Sequence, residues 1–382
     1  MLPLFDPIAL AQSLIRAPSV TPQDCGLVDS LAESLAPHGF AMFRRRYGEV
    51  ENVYFHRGPG PHLCFAGHLD VVPPGDVGAW RHPPFAAAIE DGWLYGRGAA
   101  DMKGAIAAFL SAATRPQITP STGGLSLLLT LDEEGPAIDG TAKILPDLAA
   151  AGLIPAMCVV GEPTSTAAIG DTVKNGRRGS LNAVVTVKGQ QGHVAYPDAA
   201  RNPVSALIAF CAEVKARQLD AGSPGFQPSN LEVTSLDVGN PTHNLIPANA
   251  QARLNMRFNP AHNGAKLAQW LRETLARVAS AHGLEADIAI AITGEPFYTE
   301  PGRLTAMLGH AVTAVTAQAP ILSTSGGTSD ARFIRHFCPV AELGLQNATA
   351  HQVDERVRVE DIHILTRIYA HMIDEFLQDP LL

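Results

Sequence analysis

Five short strings in the 382-residue sequence hold side chains of the types that can bind divalent metals and move protons. The first, Gly67-His68-Leu69-Asp70-Val71-Val72-Pro73, follows the apolar run Leu63 to Ala66. In an extended chain His68 and Asp70 lie on one face. A ligating imidazole needs a neighbour that fixes its tautomer and raises its basicity, and a nearby carboxylate can do this. The second, Tyr95 to Gly104, is a glycine-rich loop that ends in Asp101 ahead of a helix, where an Asp also serves as an ordinary N-cap. The third, Asp132-Glu133-Glu134-Gly135, sets three carboxylates after the run Leu125 to Leu131, where they repel unless solvent or a cation separates them. Glu162 follows Val159-Val160-Gly161, and the string Asn347 to Glu355 carries His351. Taken singly, each has an ordinary reading as a solvated turn, a cap, or a strand-end histidine beside a surface acid.

Taken together, these clusters stand at the ends of successive apolar runs, which is where open α/β sheets place their sites. Two imidazoles and three carboxylates, His68, Asp101, Glu134, Glu162 and His351, suit two divalent ions of borderline hardness with one carboxylate bridging. Three carboxylates against two dipositive ions leave one positive charge, a balance suited to activating water at neutral pH.

The elements that must position these residues follow from periodicity. Residues 6–16 and 27–36 have helical apolar spacing, and the runs at 62–72, 125–131 and 156–160 are strand-like. Met102 to Ala113, small and apolar, predicts a helix packed on that sheet, so the expectation is an α/β fold with mostly parallel strands. Near residue 180 the texture changes to alternating strands, Leu181 to Val187, Leu231 to Val238 and Ala250 to Phe258, around a helical stretch at 203–217. Gly222 to Ser229 predicts a loop. This predicts a two-domain chain: a catalytic domain of residues 1–178 and 293–382, and an inserted α+β domain of residues 179–292.

Composition narrows the partners. With a net charge of −9 and no dense Lys/Arg tract, nucleic acid and anionic membrane are poor partners. No 18-residue apolar run occurs, and the start lacks a basic segment followed by an apolar one, so a soluble, cytoplasmic protein is expected. Five scattered cysteines with no C-x-x-C pair indicate neither a disulfide framework nor a thiolate metal site.

The strings GHLDVVP, GRGAADMKG, DEEG, GEPT and GxxGHxxYP resemble those of the aminoacylase-type family of two-zinc amidohydrolases and exopeptidases, over nearly the whole chain. The resemblance implies a zinc-peptidase-like catalytic domain with an inserted dimerisation (lid) domain, and two divalent ions per subunit, zinc with cobalt as a substitute. His68 and Glu162 would hold one ion, Glu134 and His351 the other, and Asp101 would bridge. Glu133 would be the general base and Asp70 the partner of His68. The protein would be a homodimer in which His193 of the insert reaches the partner's site.

Within that family, the strings Asn175 to Ser180, Gln191 to Pro197, Asn244 to Pro247 and Thr324 to Asp330 resemble enzymes that remove a succinyl group from a diamino dicarboxylic acid. Such a substrate carries three carboxylates, so cationic groups should line its pocket. Lys174, Arg177, Arg178 and Arg257 are the candidates, although Arg177-Arg178 also reads as a solvated turn. Ser180, Tyr196, Asn244, Gly327 and Thr328 would add hydrogen bonds. An acetylornithine deacetylase or a dipeptidase of the same fold would share the metal ligands, and the pocket strings favour the succinyl substrate. A non-catalytic metal-binding protein would need no base, and Glu133 argues against it. His243 and Asp354 depart from the family pattern without an assigned role.

Overall fold

The computed structural model describes residues 1–116 and 123–379, which divide into two compact units. The first comprises Met1–Asn175, Thr299–Ser323 and Ser329–Leu382, and the second Gly176–Tyr298 and Thr324–Thr328. The division falls at Asn175/Gly176 and Tyr298/Thr299 rather than at 178/179 and 292/293. Its physical basis is a short antiparallel pair, Gly176–Arg177 with Phe297–Tyr298, that closes the second unit at its base.

The first unit is built on an eight-stranded sheet. Its centre is parallel: strand His62–His68 lies between Gly124–Thr130 and Met157–Val160, and the latter pairs with Val340–Glu342. An antiparallel hairpin, Ala41–Tyr47 with Val50–Arg57, adds one edge, and Ile321–Ser323 forms the other. Both faces are covered, which is why these strands read as continuous apolar runs. Leu63, Phe65, Leu125, Leu127, Leu129 and Val159 join a core that includes all the apolar side chains of helix Gly104–Ala113. Cys64, Ala66, Leu128, Cys158 and Val160, one residue out of step, are buried outside that core, on the opposite face. There helix Thr141–Ala150 buries Ile144, Leu145 and Leu148. Phe65 stacks on Phe109 with centroids 4.5 Å apart, and Tyr369 of the C-terminal helix Val359–Gln378 meets both rings edge-on.

The second unit is a four-stranded antiparallel sheet in the order Asn230–Asp237, Asn249–Phe258, Gly179–Lys188, Glu285–Gly294. Alternate residues Leu181, Ala183, Val185 and Val187 point to one face, where helices Pro203–Ala216 and Gly264–Ala281 cover them. All five cysteines are free thiols, and all but Cys25 are buried. Among the described residues no helix is long and apolar enough to cross a membrane.

Candidate metal centre

Three adjacent parallel strands of the first unit deliver the first donors from their carboxyl ends. His68 is the last residue of its strand, Glu133 and Glu134 lie just past Gly124–Thr130, and Glu162 lies just past Met157–Val160. Two glycines let the strand ends close up. A Cβ on Gly67 would stand 2.5 Å from the Met102 Cε, and one on Gly161 would meet the same methyl group at 2.6 Å and collide with the Phe65 ring. Met102 therefore fills the space beside both glycines, and Asp101 is carried next to His68 and Glu162. Asp101 is not a helix cap, because helix Gly104–Ala113 starts after Lys103 with no side-chain cap.

The donors form two groups that share Asp101: His68, Asp101 and Glu162, and Asp101, Glu134 and His351, the ligand atoms of each group lying within 4.8 Å of one another. His68 Nε2 is 3.1 Å from Asp101 Oδ1 and 3.8 Å from Glu162 Oε1. His351 Nε2 is 3.3 Å from Asp101 Oδ2 and 2.9 Å from Glu134 Oε1. One carboxylate thus turns one oxygen to each imidazole. A tetrahedral site with bonds of about 2.0–2.2 Å has ligand edges of roughly 3.3–3.6 Å, close to these separations. Glu162 Oε1 is buried without a hydrogen-bond partner, a costly state for a carboxylate unless a cation meets it. The residues present fit two divalent ions.

The field has the matching sign. Burial pushes Glu162 well above the usual carboxylate range, and repulsion from Asp101 and Glu133 adds to it. Glu133 is raised by burial too, against the pull of His68 and with Asp330, Glu134 and Asp101 adding. Hydrogen bonds to Asp101 and Glu134 hold His351 up at about 10. Burial opposes the charged form of His68, but Asp101 raises it all the same.

Asp70 meets His68 through its main chain: the Asp70 carbonyl oxygen lies 2.8 Å from His68 Nδ1, whereas the carboxylate stands 3.8 Å away. That carboxylate accepts the Glu134 amide at 3.1 Å and the Glu133 amide at 3.4 Å, so it holds the loop that carries both glutamates. Asp132 has a separate task, its Oδ2 accepting the amides of Ile138 and Asp139 at 2.9 Å.

The remaining residues fall as follows. Lys174, in the first unit, is buried, donates to Ser323 Oγ at 3.2 Å and stands in register with Glu342. Arg177, Arg178, Ser180, His193, Tyr196, His243, Asn244, Arg257, Gly327 and Thr328 belong to the second unit, and Asp354 to the first. Arg177 donates to the Ser325 carbonyl, and Gly326, at φ +102°, leaves the space its guanidinium occupies. Arg178 donates to Asn230 Oδ1 at 3.0 Å and Arg257 to Asn255 Oδ1 at 3.2 Å. Neither has an acidic partner among the described residues. Burial depresses both guanidinium groups, and Arg178 further depresses Arg257. Ser180 is buried in register with Arg257. His193 and Tyr196 are exposed with rings 5.7 Å apart, and Asn244 joins them through its carbonyl, which accepts the Val194 amide at 3.1 Å. His193 Nδ1 accepts the Ala195 amide, which leaves Nε2 as the donor. Gly327 and Thr328 lie in the segment Thr324–Thr328. Asp354, at φ +58°, accepts the Arg81 amide at 2.7 Å, a structural use that Asn could also serve, while His243 is exposed.

Arg97 and Glu355 lie in the strings that carry Asp101 and His351, and the structure gives them a role. They form a buried ion pair 2.7 Å long between residues 258 positions apart, a separation that leaves no local signal.

Residues 64–375 match the model of peptidase family M20/M25/M40. The chain is 55% identical over 373 residues to a succinyl-diaminopimelate desuccinylase of Caulobacter vibrioides (strain NA1000 / CB15N), covering 97% of this chain and 96% of the relative. It is 53% identical over 378 residues to that of Maricaulis maris (strain MCS10), covering 98% and 97%. Among solved structures, an M20 family metallo-carboxypeptidase from Sulfolobus solfataricus superposes with a TM-score of 0.79 at 16% identity, covering 98% of this chain and 99% of that one. A dinuclear metal-binding M20 peptidase from Bacillus subtilis superposes with a TM-score of 0.69 at 14% identity, covering 97% and 98%. With two candidate donor groups sharing Asp101, and with that match over most of its length, the chain belongs to peptidase family M20/M25/M40.

Proposed function

We propose that this protein is a cytoplasmic homodimer that hydrolyses N-succinyl-LL-2,6-diaminopimelate to succinate and LL-2,6-diaminopimelate, a step of lysine and diaminopimelate biosynthesis. The observation that carries the hydrolytic reading is Asp101, with one oxygen toward each imidazole. The substrate is supported by relatives 51–55% identical over nearly the full chain that bear the desuccinylase name.

His68 and Glu162 would hold one ion, Glu134 and His351 the other, with Asp101 between them; zinc suits these donors and cobalt can replace it. When bound, the pair of ions supplies Lewis acidity toward the acyl carbonyl and lowers the pKa of water. Glu133 takes the proton from water as its oxygen adds to the acyl carbon, and returns it to the amine nitrogen as the C–N bond breaks. Asp70 holds Glu133 for this through the amide at the base's own position. His193 Nε2 donates to the oxyanion of the tetrahedral intermediate in the partner subunit's site.

Three substrate carboxylates call for cations that are not already neutralised. Arg178 and Arg257 are the leading candidates, since their side-chain partners are neutral amides and burial disfavours both charges, with Arg178 adding to the cost at Arg257. Lys174 and Arg177 complete the cationic set, with Ser180, Tyr196, Asn244, Gly327 and Thr328 as hydrogen-bonding positions. Initial rates of metal-reconstituted protein on N-succinyl-LL-2,6-diaminopimelate, N-acetylornithine and a dipeptide panel test the assignment. The succinyl compound should have the highest kcat/KM, and a higher value for either alternative would overturn the substrate while leaving the metal centre intact.

A further inference from the structure

Arg97 and Glu355 are 2% and 0% exposed. A charge pair buried this completely adds little net stability, because desolvation offsets the attraction, so its contribution must be sought in what it holds in place. Glu355 accepts three amides of a single loop: Gly98 N at 3.1 Å on Oε2, and Ala100 N at 2.8 Å and Asp101 N at 3.1 Å on Oε1. Arg97 gathers carbonyl oxygens from two other segments, Gln352 at 3.2 Å, His351 at 3.4 Å and Pro73 at 3.4 Å. The Trp80 ring lies 5.2 Å from its guanidinium carbon. Two side chains thus tie together the main chain beside His68 and Asp70, the loop ending in Asp101, and the turn that carries His351. That turn needs an external hold, since His351 and Asp354 sit at φ +62° and +58°, where side chains other than glycine are disfavoured.

We propose that the Arg97–Glu355 pair is the positioning device of the metal centre: it fixes Asp101 between the two imidazoles and sets His351 against Asp101 and Glu134. The inference rests on reading these residues as ligands. Neither Arg97 nor Glu355 offers a donor atom to an ion; both act through main-chain groups. Because Asp101 belongs to both donor groups, disturbing its loop should weaken both ions, whereas a lesion at Glu134 alone should weaken one.

Two conservative variants test this. Glu355→Gln keeps the volume but turns an amide toward main-chain N–H groups. Arg97→Lys keeps the charge but loses the planar fork that reaches several oxygens at once. Zinc and cobalt binding to metal-stripped, full-length protein is measured by calorimetry. The visible spectrum of the cobalt form reports ligand geometry, and amide exchange in the metal-stripped protein reports the loop. Both binding events should weaken on the order of tenfold to a hundredfold. The cobalt spectrum should change, and the amides of Gly98, Ala100 and Asp101 should exchange faster in Glu355→Gln. Unchanged affinities and spectra in the folded variants, even with a lower unfolding temperature, would reduce the pair to a structural ion pair and overturn the proposal. If Glu355→Gln does not fold, Arg97→Lys decides alone. Wild-type protein that binds no metal would instead overturn the ligand assignment itself.

Discussion

Asp132, Glu133 and Glu134 are consecutive and carry the same charge, yet their surroundings separate them. Asp132 points back into its own loop, Glu134 lies 2.9 Å from the imidazole of His351, and Glu133 is raised well above the usual carboxylate range by burial, with neighbouring carboxylates adding. A side chain with that character suits the general-base role proposed for it. Glu133→Gln should therefore keep both metals by elemental analysis while kcat falls on the order of a hundredfold to ten-thousandfold. Near-normal kcat, or a lost ion, would make Glu133 something other than the base.

At the scale of elements, the approach of three strand ends depends on what glycine lacks. Gly161→Ala would press a methyl group against Phe65 and Met102, a form of overpacking that costs about 1–3 kcal/mol. Thermal unfolding should show this loss, accompanied by weaker metal binding, because Met102 adjoins Asp101. Unfolding and metal affinity both at wild-type values would show that the neighbours yield freely. In the second unit, the loop before strand Asn230–Asp237 is organised by Asp220, which accepts Gly222 N at 2.6 Å, Asn259 Nδ2 at 2.7 Å and Ser229 N at 3.2 Å. Burial alone would raise Asp220, but the hydrogen bonds from Ser229, Gly222 and Asn259 pull it down to about 2. Its folded value thus lies below the unfolded value of about 3.9, so its stabilisation is present above pH ~4 and lost as pH falls toward 2. Asp220→Asn should lower stability at neutral pH and flatten the decline between about pH 4 and 2. Parallel unfolding curves for the two proteins across that window would refute the assignment.

At the scale of the whole molecule stand the metal requirement and the proposed homodimer. Metal removal by a chelator should abolish hydrolysis, and zinc or cobalt should restore it; full turnover by protein that elemental analysis finds metal-free would end the di-metal reading. His193 lies in the second unit, exposed, with Nε2 free to donate. If it serves the partner's site, His193→Ala and Glu133→Gln homodimers should both be nearly inactive. A mixed dimer, however, would keep one site with an intact Glu133 and an intact His193. Random exchange makes about half the dimers mixed, each with one working site of two, so roughly a quarter of wild-type activity should return. Proven mixed dimers with no recovery would assign His193 to its own subunit.

The central strands and the types of donor residue were legible in local sequence. Apolar runs of strand length marked His62–His68, Gly124–Thr130 and Met157–Val160, and the acids and imidazoles stood where those runs stop, because burial on both faces and donor chemistry are local properties of the chain. The hairpin Ala41–Tyr47 with Val50–Arg57 escaped this reading, since Arg44, Arg45 and Arg46 break any apolar alternation. Only the tertiary structure decided which atoms meet. It put the main-chain carbonyl of Asp70, rather than its carboxylate, against His68, divided the two oxygens of Asp101 between His68 and His351, and paired Arg97 with Glu355. Those contacts join residues up to 258 positions apart, and their geometry is set by how the strands and loops pack, a long-range outcome that no local periodicity encodes.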